Sequence, residues 1–265
     1  MHDITCAGVL MKIDQLISRL EEIAPPDLAE DLDRGRIGLI VRGSPEINKV
    51  ATALDPTPYA IGRAIEEGAG MLVTHHTLIW DPVNRIGEDL ALQLRLLLDN
   101  QLSLYSMHTN YDNAPGGVND VLAGLIGLSG VSAFYGGRAG KVREMSLREF
   151  ALQASEKLGC RVEYAGDDDL AVKRVAVAAG SGFRMGLQPA RLDGMDALLS
   201  SELKHDVVRN RGNVALVSAP HYYTEAPAMA ALAGRLNDLV PAAFIDDPPR
   251  IKVVDAFERE AVERV

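Results

Sequence analysis

Two stretches decide the fold: Lys49-Val-Ala-Thr-Ala-Leu54 with Gly70-Met-Leu-Val-Thr74, and Arg174-Val-Ala-Val-Ala-Ala179 with Asp196-Ala-Leu-Leu-Ser200. Each segment is a short apolar run, the signature of a buried strand. Between the first two, Pro58 opens a helix whose apolar side is Ile61, Ala64 and Ile65, and Gly68 and Gly70 close it. A strand, helix and strand in this order predict parallel pairing. The second pair encloses a Gly180-Ser-Gly182 turn and a short helix, so the chain carries an internal repeat.

Outward from the repeat the alternation continues with a helix near Gly87 to Asn100, a strand Leu102 to Met107 and a helix Gly117 to Ile126. Upstream, Met11 opens an amphipathic helix with Ile13, Leu16, Ile17, Leu20 and Ile23 on one side, Pro25-Pro26 ends it, and Ile37 to Val41 reads as a strand. Residues 1–10 read as an irregular extension. Ser146-Leu-Arg-Glu149 is a capping box that opens a helix with Leu147, Phe150, Ala151, Ala154 and Leu158 as its buried stripe, stopped by Gly159. A strand around Arg161 to Tyr164 follows, and Asp167-Asp168-Asp169 reads as a solvated turn. The expected fold is α/β, two pseudo-repeated α/β/α units with mostly parallel sheets. Residues 1–126 plus 227–265 are expected to form one domain and 127–226 the other.

The net charge of −10 disfavours nucleic acid and anionic membrane surfaces as partners, because both are held through clustered Lys and Arg. No run approaches the eighteen or so apolar residues of a membrane span. Cys6 and Cys160 form no metal-binding spacing, which fits a reducing, cytoplasmic setting.

Five of the six histidines, all but His2, fall in four segments just past expected strand ends, where open α/β sheets place ligands. His75-His76 ends one strand and Glu202-x-x-His205 follows its counterpart. His108-Thr-Asn-Tyr-Asp112 and His221-Tyr-Tyr-Thr-Glu225 end the next pair, each followed closely by Ala-Pro. Alone, each element has a plain reading. Adjacent histidines in extended chain point to opposite sides, so one could be a hydrogen-bonded core residue. His108 with Asp112 could be a loop hydrogen bond, and Glu225 could favour a helix start capped by Thr224. Together they offer nitrogen and oxygen donors without thiolates, a set for Zn, Fe or Mn. His75, His76, His108, Asp112, His221 and Glu225 exceed what one four-coordinate ion needs, so two divalent ions are expected, with Glu225 as the bridge.

Val73-Thr-His-His-Thr-Leu-Ile79, the run from His108 through Ala114-Pro-Gly-Gly-Val-Asn-Asp120, and His221-Tyr-Tyr-Thr-Glu225 resemble the Nif-three-like family, also called GTP cyclohydrolase I type 2 homologues. The resemblance implies a dinuclear centre on the same six residues, a toroidal homohexamer with its metals facing an internal cavity, and a small-molecule substrate, possibly GTP. Thr77, where the family commonly has Pro, and Ser201 and Asp206 depart from its pattern.

The resulting expectation is a metal-dependent hydrolase acting on a nucleotide or cyclic amide, with His205 as proton shuttle and Glu202 as the weaker candidate. A metal-stabilised oligomeric scaffold or regulatory partner is the competing reading. Gly180-Ser-Gly182, and a loop holding Gly136-Gly-Arg138 and Lys141, are the places where a phosphate could be met.

Overall fold

A computed structural model describes residues 10–183 and 194–252. Within them the chain builds two mixed sheets. The five-stranded sheet runs Ala242–Phe244, Val50–Ala53, Met71–Thr74, Ser103–Ser106, Gly38–Val41, parallel throughout except for the last strand, which is antiparallel. The six-stranded sheet runs Ser129–Phe134, Gly137–Ser146, Ala171–Val177, Ala197–Ser200, Ala215–Ser218, Glu163–Ala165. Its centre is parallel and its flanks are antiparallel. Each sheet therefore holds three strands, consecutive in space and mutually parallel, where the repeated segments were read.

The strand segments lack polar alternation because both faces of each sheet are covered. Val50, Met71 and Val73 pack with Leu16 and Leu20 of helix Ile13–Ile23 and Met229 and Leu232 of helix His221–Leu236. Ala51, Ala53 and Leu72, one residue out of step, face Ile61 and Ala64 of helix Pro58–Glu66 and Leu97 of helix Glu88–Asp99. Thr57 accepts from the Ala60 amide to cap Pro58–Glu66. In the second sheet Val175, Leu199 and Val217 pack against helices Val118–Ile126 and Leu147–Leu158, and Ala176, Leu198 and Leu216 against Phe183 and Val207. The Ser146 capping box forms, the five expected stripe residues are buried, and Gly159 ends the helix in the left-handed conformation. Each fully buried Leu, Ile or Phe contributes about 1.5–3 kcal/mol.

Several elements differ from the sequence expectation. Residues 129–146, read in part as a charged loop, form a hairpin whose first strand is exposed on both sides as far as Ala133, so no alternation marked it. Helix His221–Leu236 is capped by Pro220, four residues before the expected Thr224 cap, and Thr224 instead donates to the His221 carbonyl and accepts from the Gly180 amide. That helix also runs across the boundary expected at 226/227 and packs on the first sheet. The three-aspartate turn is as expected: the Asp169 amide donates to the Asp167 side chain. Residues 1–9, Cys6 among them, and the short helix expected after Gly182 lie outside the described residues.

Candidate metal centre

The carboxyl ends of the parallel strands from both sheets meet over one cavity of about 450 Å³. Strand Met71–Thr74 ends at a bend in which the His75 and His76 amides both donate to the Leu54 carbonyl, at 3.1 and 3.0 Å. This bend overturns the expectation that the two rings point apart. They lie on one side, with centroids 5.1 Å from each other, and the His108 centroid is 4.9 Å from that of His75. His221 comes from the far end of the chain to 5.5 Å from His76.

Both His-x-x-x-carboxylate pairs use one helical turn, which sets residues four apart on the same face. His108 caps helix Thr109–Asn113, and the Asp112 amide donates to its carbonyl. His221 and Glu225 share the first turns of their helix. Glu225 is the hub: Oε2 lies 2.9 Å from His221 Nε2 and 3.3 Å from His76 Nε2, and Oε1 lies 3.9 Å from His75 Nε2. Asp112 Oδ1 is 3.7 Å from His75 Nε2. His75, His76 and His108 form one group of converging donors, and His76, His221 and Glu225 a second. All six expected residues are thus brought together.

Two donors on one tetrahedral ion, each about 2.1 Å from it, are about 3.4 Å apart, so the observed spacings suit chelation. The hydrogen bonding points the same way. Among the described residues five buried side-chain polar atoms make no well-aligned hydrogen bond, and four are His75 Nε2, Asp112 Oδ1, and His221 Nε2 and Glu225 Oε2, which face each other at 2.9 Å without hydrogen-bond geometry. Orphans of this kind cost about 1–3 kcal/mol each, so four converging on one point indicate that something else satisfies them. Gly180 completes the cradle: with φ +60°, it would place a Cβ 2.1 Å from Glu225 Oε1 and 3.1 Å from His221 Nε2.

Every imidazole turns Nε2 inward because Nδ1 is held from outside. His75 donates to the Met107 carbonyl (2.9 Å), His76 to Asp55 (2.6 Å), His108 to Asp33 (2.8 Å) and His221 to Glu202 (3.1 Å). Outer partners of this kind fix tautomer and ring orientation in metal sites. Sequence reading missed Asp33 and Asp55, which carry no local signal and lie 75 and 21 residues from the rings they hold. Asp33 is buried and also accepts from the amide and hydroxyl of Thr109. Glu202, expected as a catalytic candidate, sits in the left-handed region at φ 63° with its carboxylate on His221. His205 is exposed at the start of helix His205–Arg209 and is not among the cavity-lining residues.

Burial lowers His75 to about 3, against the pull of Glu225, so its ring is neutral. His76 is also desolvated, yet Asp55 and Glu225 push it up to about 10. Burial and the Glu225 charge raise Asp112 well above the usual carboxylate range. Glu225 itself is held low, against its burial, by the imidazoles of His221 and His76 that face its carboxylate.

The expected phosphate cations are otherwise engaged. Arg138 is buried and paired with Asp120, and Lys141 lies on the exposed side of the hairpin. Asn119 ties the two halves beside the cavity, accepting from the Ala179 amide and donating to the carbonyls of Asp112 and Gly136.

Fold and site together define an α/β protein with a histidine- and carboxylate-lined candidate metal centre at the carboxyl ends of its parallel strands. The model of one family, Duf34/NIF3 (NGG1p interacting factor 3), matches residues 11–247, and the chain belongs to that family. A Methanocaldococcus jannaschii protein named GTP cyclohydrolase 1 type 2 homolog is 33% identical over 229 residues, covering 81% of this chain and 90% of its own. A Clostridium acetobutylicum protein of the same name is 29% identical over 256 residues, covering 90% and 94%. The crystal structure of a Staphylococcus aureus hypothetical protein superposes with a TM-score of 0.82 at 25% identity, covering 92% of this chain and 99% of that one.

Proposed function

We propose that the chain holds two divalent cations, Zn, Fe or Mn, on His75, His76, His108, Asp112, His221 and Glu225, and uses them to hydrolyse a nucleotide or cyclic amide. The observation that carries this reading is the convergence on a cavity of four buried donor atoms without well-aligned hydrogen bonds, with each imidazole locked from behind. Ions bound there would polarise a substrate oxygen and bring a water to reactive acidity near neutral pH. The chain's own part is to orient and to exclude. Asp33, Asp55 and Glu202 aim the imidazoles, and Glu225, with its two oxygens toward different rings, would hold both ions. The relatives' shared name makes GTP the first substrate to try.

Elemental analysis of protein purified without added metal should give about two ions per chain. Metal-loaded protein should then turn over GTP or a cyclic amide, and His108→Ala should lose that activity; equal rates would dismiss catalysis at this site. The shuttle role for His205 is tested separately. A fall of 100-fold or more in His205→Ala at unchanged metal content supports it, whereas unchanged turnover leaves proton transfer to solvent.

Assembly into a homohexamer is proposed with it. The exposed Val83, Ile86, Leu92 and Leu98, on or next to helix Glu88–Asp99, support self-association. The solution mass of the full chain decides it.

A further inference from the structure

Trp80 is the only tryptophan of the chain, and it stands at the mouth of the metal cavity. The residue is 44% exposed, an unusual place to leave a tryptophan. It is nevertheless fixed. The Arg36 guanidinium lies over the ring, 4.5 Å from its centroid, and the same guanidinium donates to the Trp80 carbonyl, the Leu32 carbonyl and Asp81. The His108 ring approaches at 5.3 Å and 86°. Arg36 therefore occupies one face, His108 meets the indole at right angles, and the remaining surface lines the cavity. The segment from Leu32 to Arg36 supplies this clamp and also Asp33, which holds His108, so the indole and a proposed ligand are positioned by one piece of chain.

The rest of the lining narrows what that surface meets. Apart from the proposed ligands it holds Glu30, the hydroxyls of Thr109 and Ser181, and otherwise only Leu32, Ala179, Gly136 and Gly182 beside the indole. Among the described residues lining it there is no Lys or Arg, while Glu30, Asp112 and Glu225 are there. A ligand entering this cavity finds no Lys or Arg for a phosphate. What it finds is a rigid aromatic wall beside the proposed cations. Preorganised aromatic rings of this kind bind flat π-systems by offset stacking, with little entropy lost on contact.

We infer that Trp80 is the specificity-determining wall of the site, and that it takes a planar, conjugated nitrogen heterocycle by stacking it beside the metal cluster. The inference rests on reading the cavity as a substrate site. It commits to recognition through the ring of the substrate and not through its phosphates.

The test uses the full chain loaded with zinc, and binding rather than turnover as readout. Guanosine and uridine are the planar probes and ribose is the control. Because the chain has one tryptophan, its emission reports on this ring alone. Saturable quenching by the nucleosides and none by ribose is expected. By calorimetry, Trp80→Phe should hold guanosine within about threefold of wild type. Trp80→Leu, which keeps an apolar side chain but no π-face, should weaken it roughly 5- to 150-fold, the worth of one base stacked on one aromatic ring. Zinc content should be unchanged in both. Absence of quenching by either nucleoside, or equal guanosine affinity in wild type and Trp80→Leu, overturns the inference. Quenching and the Trp80→Leu loss in a protein that binds no zinc would uphold this role for Trp80 while removing the metal-dependent reading.

Discussion

Replacing Asp33 by Asn tests whether the outer partners build the centre. The carboxylate accepts from three donors, His108 Nδ1 at 2.8 and 3.0 Å, the Thr109 amide at 2.8 Å and the Thr109 hydroxyl. An amide of the same shape keeps one oxygen and presents an NH2 group to a neighbour that is itself a donor. At least one buried donor then loses its acceptor, at about 1–3 kcal/mol. At roughly 2–4 °C per kcal/mol for a chain of this size, the melting temperature should fall by about 2–12 °C. The His108 ring also loses its orienting anion, and metal affinity should drop about 10- to 100-fold. Burial works against ionisation of Asp33, but His108 and Thr109 hold its pKa below 3.8. Its contribution is therefore present above 3.8 and lost as pH falls through the lower folded value. The gap in melting temperature between wild type and Asp33→Asn should accordingly close in strong acid. Thermal melts from pH 7 downward and competition titrations with a zinc chelator check both halves. Wild-type zinc affinity in Asp33→Asn would refute the positioning argument.

Zinc affinity itself should rise by up to tenfold per pH unit between about 7 and 10, because His76, pushed up to about 10, must give up its proton to bind; a flat profile in chelator-buffered titrations would contradict this. The same shift stabilises metal-free protein below 6.5, and that contribution should disappear as pH rises through about 10, read by melts without metal. Gly180→Ala drives a methyl to within 2.1 Å of Glu225 Oε1 and strains a left-handed residue, so metal content should fall below one ion per chain by elemental analysis. Tyr222→Phe removes a hydroxyl that donates to Asp246 (2.7 Å) and accepts from the Asp247 amide (2.9 Å). A loss of about 1–3 kcal/mol in denaturant melts is expected, with metal content retained.

The sequence was most legible where periodicity and punctuation agree. The buried stripe of helix Leu147–Leu158 and its two caps could be read residue by residue, because capping box, spacing and terminal glycine all act within one helix. The parallel strands were legible as apolar runs and the six donors as a repeated pattern at strand ends. Hairpin 129–146 was not, since its first strand is exposed on both faces and rich in small residues. Strand Ala242–Phe244, three residues long, owes its place to pairing with Val50–Ala53 from the other end of the chain. The same reason hid Asp33 and Asp55: a hydrogen bond across 75 residues leaves no spacing to find. The bend at His75 was hidden as well, because the alternation that governs strands was applied one step past the point where Leu54 turns the chain.

The order in which these parts leave the ribosome has a consequence of its own. His75, His76 and His108 are translated more than a hundred residues before His221 and Glu225, and the helix carrying the latter pair is tied by Tyr222 to Asp246 and Asp247. A nascent chain therefore displays an incomplete trio of imidazoles, able to pick up an adventitious cation, throughout synthesis of the second sheet. The ligand set of the proposed ions is completed only by helix His221–Leu236, so cation uptake should follow synthesis of both sheets and should coincide with docking of the strand Ala242–Phe244.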